Sequence, residues 1–141
     1  MQMVTRFPGG ARVDTEFGPY VVRTDQPPQA GGGGSAPTPF DTFLAAIGAC
    51  AGVYVLGFCR RRGLPTEDMR IVQTMDVDPI AGMVTSIHLD VLVPPGFPEK
   101  YRDPLIRAAE QCTVKRHLET PPRFVVRTLT DAATEMDVGP P

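Results

Sequence analysis

Hydrophobic and polar positions divide the chain into short alternating segments around one long apolar segment. The apolar segment spans the seventeen residues 43–59, FLAAIGACAGVYVLGFC, and contains no charged or amide side chain. This is close to the length of a segment that crosses a membrane, so the flanking residues must distinguish a transmembrane helix from a core helix.

Both ends of the segment carry the signals of a helix that stops in water. Thr38 can cap its start, Pro39 suits the first helical position, and Asp41 completes a variant of the capping box. At the other end, three arginines at 60–62 complement the helix dipole, and the glycine that follows can close the helix in the left-handed conformation. These signals predict a soluble helix over about 39–62 and no membrane partner.

The predicted helix is apolar on nearly all sides, so it cannot be an ordinary surface helix. Small residues recur along it and would let another backbone approach closely: Ala45, Gly48, Ala49 and Gly52. A chain of 141 residues has little material to cover such a helix completely. We expect either a strongly curved sheet around it or, as the favoured arrangement, a second subunit in a homodimer.

Segments with strand patterns lie on both sides of the helix. Residues 2–7, 11–15 and 19–24 are short, rich in β-branched or aromatic side chains and separated by glycine-containing turns, which predicts a β-meander. After the helix, apolar residues alternate along 69–77 and again along 83–93. This pattern predicts a long β-hairpin with one apolar side.

Two further helices and a strand complete the prediction. The sequence Asp103-Pro104 favours a helix start and predicts a helix that extends to Cys112. A short helix over 113–119 and a last strand over 123–129 follow. The resulting order βββ-α-ββ-αα-β indicates an α+β fold.

Composition and charge narrow the domain organisation and the function classes. With 42% hydrophobic and 21% charged residues, the chain can bury a core, and we expect one domain over 1–131, a glycine-rich loop at 25–37 and a disordered tail at 132–141. Fourteen Lys and Arg against sixteen Asp and Glu give a net charge of −2. The chain therefore lacks the positive field of a nucleic-acid-binding protein.

The N-terminus and the number of cysteines suggest the compartment. The first ten residues contain no apolar stretch, so we expect no secretory signal and a cytoplasmic protein. Three cysteines, an odd number, disfavour a secreted disulfide framework and leave room for reactive thiols.

The three cysteines differ in their sequence surroundings. Cys50 lies in the middle of the apolar helix, where a cysteine usually acts as a small buried hydrophobe. Cys59 follows nine residues later, half a turn away around the helix, so the two cannot pair while both remain helical. Cys59 is interpreted as structural. Cys112 stands at a helix junction, where the N–H groups of the following turn can stabilise a thiolate, and is the natural partner of Cys50.

The cysteines and histidines do not have the spacing of a metal site. Cys112 and His117 stand five residues apart, and His88 could complete a set with Cys50, but no pair shows a C-x-x-C or H-x-x-x-H spacing. Both histidines have polar neighbours and are interpreted as solvated. We expect no metal, and the GGGGS run at 31–35 lacks the lysine of a phosphate-binding loop.

Two segments resemble the OsmC-like proteins, the osmotically inducible and organic hydroperoxide resistance family. The run TPFDTFLAAIGACAG at 38–52 resembles the P-x-E-L-L-L-A-A-L-G-A-C opening of that family's central helix. The run AAEQCTVKRHLE at 108–119 is similar to its A-x-x-C-P-V-x-x-x-L signature, with Cys112, Val114 and Leu118 in place. The separation of the two cysteines and the predicted order of elements also fit.

The resemblance implies an intertwined homodimer with its central helices packed side by side and a thiol peroxidase site at the interface. Cys50 would be the peroxidatic cysteine, whose thiolate attacks the peroxide O–O bond to give a sulfenic acid. Cys112 would be the resolving cysteine, which condenses with it into a disulfide. The partners would be an organic hydroperoxide and an unidentified thiol reductant, with no metal or organic cofactor.

The chain departs from the pattern of the hydroperoxide reductases around the thiol. In those proteins an arginine of the N-terminal sheet activates the thiol, and a glutamate ten residues before the cysteine orients that arginine. Here Phe40 occupies the glutamate position, and the acid is the next residue, Asp41. The candidate activating arginine is Arg12, with Arg6 and Arg23 as alternatives.

Thr113 is a further departure, because the family usually has proline after the second cysteine.

The predicted walls of the substrate site are apolar and come from Phe40, Phe43, Ile47 and Tyr54. Such walls also suit an alternative from a different class, a non-catalytic dimer that binds a lipid-like or other apolar ligand at its interface.

Overall fold

The computed structural model describes residues 1–130 as two small antiparallel sheets and three α-helices. The elements are, in chain order, β1 (Val4–Gly9), β2 (Arg12–Phe17), β3 (Tyr20–Thr24), α1 (Pro39–Arg60), β4 (Arg70–Val77), β5 (Val84–Leu92), α2 (Arg102–Ala109) and α3 (Thr113–Glu119). The predicted α+β class is confirmed, and these eight elements follow the predicted order.

The N-terminal sheet is a meander in the order β1-β2-β3. Most of its residues are left accessible to solvent by the rest of the chain. Gly9 and Gly10 make the first turn with positive φ values of 124° and 61°, which glycine adopts without the cost that a Cβ would add. Every residue of β1 is exposed, and only Asp14 and Thr24 are buried within the three strands. The sheet therefore has open faces in an isolated protomer.

A buried carboxylate organises the glycine-rich loop that follows the sheet. Asp25 is 2% exposed, and its carboxylate accepts hydrogen bonds from the N–H groups of Gln26, Gly33 and Ser35 and from the Ser35 hydroxyl, at 2.7–3.2 Å. A short 3-10 helix, Pro28–Ala30, lies within the loop. The loop thus folds around one side chain before it reaches α1.

The start of α1 is built as its sequence predicts. The Thr38 side chain accepts a hydrogen bond from the Asp41 N–H, and the Asp41 carboxylate accepts one from the Thr38 N–H, which completes the capping box. The helix ends at Arg60, two residues before the predicted end, and Gly63 adopts the expected left-handed conformation, with φ of 62°.

One face of α1 is buried and the other remains open in the single chain. By length and composition alone this helix could cross a membrane, as many core helices could. Its buried residues recur every three or four positions on the side that faces the rest of the chain: Leu44, Ile47, Ala51, Val55, Phe58 and Cys59. On its other sides Phe40 and Val53 are exposed. The chain therefore does not cover the helix on every side.

The hairpin of β4 and β5 packs against α1 as the alternating pattern predicts. Gln73 of β4 donates a hydrogen bond from its side-chain amide to the Leu44 carbonyl of α1 at 3.1 Å. A Cβ at Gly48 would lie only 2.9 Å from the Gln73 Oε1 atom. Gly48 is therefore one of the small residues that permit a close approach, here of a strand within the same chain.

The core lies where the C-terminal half of α1 meets α2. Its buried members are Val55, Phe58, Cys59, Phe97, Leu105 and Ala109. The guanidinium of Arg62 covers this cluster, with its carbon 3.7 Å from the centre of the Phe58 ring. This packing fixes α2, and with it the point at which the chain turns into α3.

Two predictions for the C-terminal part are wrong. The second helix ends at Ala109 and not at Cys112, because a tight turn separates α2 from α3. Residues 121–130 form no strand, and the Phe124 and Val126 side chains are 82% and 95% exposed. A strand needs a neighbouring strand for its backbone hydrogen bonds, and this segment belongs to neither of the two sheets formed within residues 1–130. The predicted tail at 132–141 lies outside the described residues.

Candidate functional site

The packing of α3 against α1 brings Cys50 and Cys112 together. Cys50 is half-buried near the middle of α1, whereas Cys112 is completely buried immediately before the first turn of α3. The two thiols are close enough to shift each other's pKa, and both are free. The sulfur of Cys112 also lies 3.9 Å from the Ile47 carbonyl oxygen of α1. A pair of neighbouring thiols can interconvert with a disulfide.

The surroundings move the two thiol pKa values in opposite directions. Burial raises the pKa of Cys50, but hydrogen bonds from the Val114 N–H, the Cys112 thiol and the Thr113 N–H together outweigh burial and lower it. Burial also raises the pKa of Cys112, and there it prevails over the bonds from the Lys115 and Val114 N–H groups. Cys50 is therefore the more acidic thiol and the better nucleophile at neutral pH.

The sequence did not predict which of the two thiols would accept hydrogen bonds from the backbone N–H groups at the start of α3. A position at a helix junction suggested stabilisation of a Cys112 thiolate, but the Thr113 and Val114 N–H groups also bond the sulfur of Cys50. The outcome depends on how α3 sits on α1. No local sequence signal gives that placement.

Cys59 lies apart from the thiol pair. It is completely buried in the core, with its sulfur 3.9 Å from the sulfur of Met69. Burial raises the pKa of Cys59, although the positive charge of Arg62 opposes the change. The environment is that of the structural cysteine that the sequence predicts.

Tyr54 joins the site through its hydroxyl. It follows Cys50 by four residues, so it lies one turn along the same side of α1. Its hydroxyl oxygen is 2.9 Å from the hydroxyl oxygen of Thr113. The His117 ring nitrogen Nδ1 lies 2.8 Å from the Thr113 carbonyl oxygen one turn further along α3. Tyr54 therefore contacts the first turn of α3, and it lines neither of the two apolar grooves described below.

The charged residues predicted at the site have other partners in the single chain. Arg12 donates a hydrogen bond to the Asp14 carboxylate at 2.9 Å within β2. Asp14 is 9% exposed, and its other oxygen, Oδ1, is buried without a hydrogen-bond partner among the described residues. Asp41 accepts hydrogen bonds from the Thr38 N–H and hydroxyl at 3.2 and 2.7 Å. It lies about 13 Å along the helix axis from Cys50.

The alternative arginines have different surroundings. Arg6 of β1 forms an ion pair with Glu16 at 3.2 Å, and both side chains are largely exposed. Arg23 lies on β3, opposite Asp14 in the strand register. None of the three arginines, Arg6, Arg12 and Arg23, is among the groups that shift the pKa of Cys50 in the described part of the chain.

The predicted apolar walls fall into two grooves. Phe40 and Phe43 stack with ring centres 5.8 Å apart and line a groove of about 490 Å³ against the first residues of β5. Ile47 lines a second groove of about 690 Å³ along β5, between α2 and α3. Both grooves are open, so the single chain presents apolar surface along α1, but neither lining includes Cys50 or Cys112.

Metal ligands are not clustered in residues 1–130, where no three or more His, Cys, Asp and Glu side chains come together as a metal site would need. His88 lies on the hairpin 2.8 Å from Asp76. The hydrogen bond with Asp76, followed by the charge of that carboxylate, raises the pKa of His88. His88 is solvent-exposed as expected, but paired.

Comparisons with known proteins identify the fold and the family. A family profile described as OsmC-like protein matches residues 32–127. No curated protein matches the chain in sequence. A solved structure from Psychrobacter arcticus 273-4, provisionally described as an osmotic stress induced and detoxification response protein, is 18% identical. The superposed region covers 82% of this chain and 86% of the Psychrobacter chain, with a TM-score of 0.66.

Two further solved structures share the fold. One, from structural genomics, is 20% identical over 86% of this chain and 91% of its own, with a TM-score of 0.68. The other, from Legionella pneumophila, is described as an organic hydroperoxide resistance protein OsmC, predicted redox protein and regulator of sulfide bond formation. It is 21% identical over 84% of this chain and 89% of its own, with a TM-score of 0.51.

Proposed function

The chain belongs to the OsmC-like protein family, and we propose that it is a cysteine-dependent peroxidase that reduces organic hydroperoxides in defence against oxidative stress. Family membership and the redox description of the Legionella pneumophila protein support a stress-related redox role. The observation that carries the specific activity is the adjacent pair of free thiols with opposite pKa shifts.

The first step uses Cys50 as the nucleophile. Its thiolate attacks the outer oxygen of the hydroperoxide, so that an S–O bond forms and the O–O bond breaks. The alkoxide leaves and takes up a proton to become the alcohol, and Cys50 becomes a sulfenic acid. The N–H groups of Thr113 and Val114 favour this step, because they stabilise the thiolate that reacts.

The second step uses Cys112. Its sulfur attacks the sulfur of the sulfenic acid, an S–S bond forms, the S–O bond breaks, and water leaves with the thiol proton. A high pKa keeps Cys112 protonated until Cys50 is oxidised, so the two residues have distinct roles. An external thiol reductant then reduces the disulfide and completes the cycle.

A homodimer is part of the proposal. The open side of α1, the uncovered strands of the N-terminal sheet and the exposed apolar segment around Phe124 are all surfaces that a second copy would cover. In such a dimer Arg12 of one subunit would approach Cys50 of the other. This arrangement would give the thiolate a cation as well as backbone N–H groups.

The apolar grooves support an organic substrate. Burial of an alkyl group contributes about 0.8 kcal/mol per methylene, and two buried methylenes give a factor of about ten in rate. We therefore expect cumene or fatty-acid hydroperoxide to react at least about tenfold faster than hydrogen peroxide. The test is the ratio of second-order rate constants, with Cys50→Ser as the inactive control. A ratio near one would contradict the role of the grooves.

The same grooves favour a second candidate function, the binding of a lipid-like ligand without catalysis. Phe40 and Phe43 are 53% and 39% exposed beside one groove, so an apolar molecule would bury their surface. This alternative does not use the thiols. If the wild-type protein reacts with neither hydroperoxide and retains all its thiols, that result favours the binding function over the peroxidase function.

A further inference from the structure

The placement of α3 relies on few contacts. No residue of α3 is buried: Val114 and Lys115 are half-buried, and the other five of its seven residues are exposed. A helix without a fully buried side chain gains little from hydrophobic burial. Its first turn nevertheless has to stay in register with Cys50 for its N–H groups to bond the sulfur.

One hydrogen bond between side chains fastens that first turn to α1. The Tyr54 hydroxyl oxygen and the Thr113 hydroxyl oxygen are 2.9 Å apart, and they join residues that lie 59 positions apart in the chain. Tyr54 stands one turn beyond Cys50 on the same helix, and Thr113 supplies one of the N–H groups that bond Cys50. The bond thus links the helix that carries the nucleophile to the backbone that contacts it.

We propose that Tyr54 and Thr113 are positioning residues, whose hydroxyl–hydroxyl bond holds the Thr113 and Val114 N–H groups against the sulfur of Cys50. The bond fixes the distance between the two helices at the level of the thiols. This inference rests on the proposed function, because it deepens the role of the same site. The reactivity of Cys50 then depends on a tyrosine hydroxyl that does not itself touch the sulfur.

The test is the pH dependence of Cys50 alkylation by iodoacetamide, followed at the Cys50 peptide by mass spectrometry in the full-length protein. Tyr54→Phe and Thr113→Val each remove one hydroxyl and keep the shape of the side chain. We expect either change to raise the measured pKa of Cys50 by about half a unit or more. The double variant should show no further increase, since both changes break the same bond.

Two further variants separate positioning from a general structural role. Tyr101→Phe is the matched control, because Tyr101 packs beside Phe58 in the core and is not among the groups that shift the pKa of Cys50. It should leave the pKa of Cys50 unchanged. Thr113→Pro removes the N–H as well as the hydroxyl, and proline is tolerated in the first turn of a helix, so it should give the largest increase.

The result that would overturn the proposal is an unchanged Cys50 pKa in Tyr54→Phe, whether or not its melting temperature falls. Additive shifts in the double variant would also overturn it. The alkylation uses no peroxide, so it gives an answer even if the protein fails to reduce hydroperoxides. Failure of the peroxidase activity and failure of the positioning role are therefore distinguishable.

Discussion

The thiols of Cys50 and Cys112 lie close enough to shift each other's pKa, yet Cys50 is half-buried with a lowered pKa and Cys112 is completely buried with a raised one. The difference arises because the start of α3 directs the Thr113 and Val114 N–H groups at Cys50, while burial dominates at Cys112. The half-buried, more acidic thiol therefore suits the first step of the proposed reaction, and the buried thiol suits the second.

The first prediction concerns the number of reactive thiols in the folded protein. At pH 7.5 iodoacetamide should modify about one thiol per chain rapidly, at Cys50, because thiolate content and exposure both favour it. Cys59 and Cys112 should react only in denaturant. Cys50→Ser should remove the fast phase. Fast modification of Cys59 in the native protein would contradict the placement of that residue in the core.

The second prediction concerns Arg12. If it reaches Cys50 of the partner subunit, Arg12→Met should raise the pKa of Cys50 and slow hydroperoxide reduction at neutral pH by about tenfold, since one pKa unit changes the thiolate fraction tenfold. The variant should lose some stability, because Arg12 is the partner of the buried Asp14 carboxylate, so circular dichroism must show that it is folded before its rate is compared. Rate constants for Arg6→Met and Arg23→Met are the matched controls. A larger loss in either of them would assign the activating role to that arginine instead.

The third prediction concerns assembly. Light scattering at low micromolar concentration should report twice the chain mass, because exposed apolar residues such as Val53 and Phe124 need cover. Val53→Glu on the open face of α1 should shift the protein towards the single-chain mass. A reading near 15.3 kDa for the wild type would contradict the homodimer.

The fourth prediction concerns acid stability and Asp25. Hydrogen bonds from Ser35, first its backbone N–H and then its hydroxyl, hold the pKa of Asp25 below its usual range against the opposing effect of burial. A lowered folded-state pKa adds stability above the unfolded value of about 3.9, and that stability is lost as the pH falls through the folded value. Asp25→Asn should therefore lower the urea midpoint at pH 7.

The difference between wild type and Asp25→Asn should shrink as the pH is lowered towards 2, because both side chains are then neutral. Urea titrations followed by circular dichroism at several pH values measure it. A difference that stays constant from pH 7 to pH 2 would show that the charge of Asp25 does not stabilise the loop.

Local sequence signals predicted the elements whose stability is local. Thr38, Pro39 and Asp41 specify the start of α1 because the capping box is formed within four neighbouring residues. The alternation of apolar and polar residues predicted the β4–β5 hairpin, because its two strands are neighbours in the sequence. The strand expected at 123–129 failed because strand pairing depends on a distant partner, and residues 1–130 provide none.

The sequence predicted that Cys50 and Cys112 would be partners, but it did not predict the hydrogen bonds that surround them. The two cysteines follow from their motifs, and the separation of Cys59 from Cys50 follows from helical geometry. The bond between Tyr54 and Thr113 joins α1 to α3 and depends on tertiary packing. The orphaned oxygen of Asp14 likewise has no sequence signal, because it depends on which donors surround β2 in the fold.

The reaction of the reduced protein with one equivalent of cumene hydroperoxide tests the central claim most directly. Free thiols are titrated before and after the reaction, and the bridged peptides are identified by mass spectrometry. The account predicts the loss of two thiols per chain, a single Cys50–Cys112 disulfide, and Cys59 still free. An unchanged thiol count, or a major bridge that contains Cys59, would contradict it.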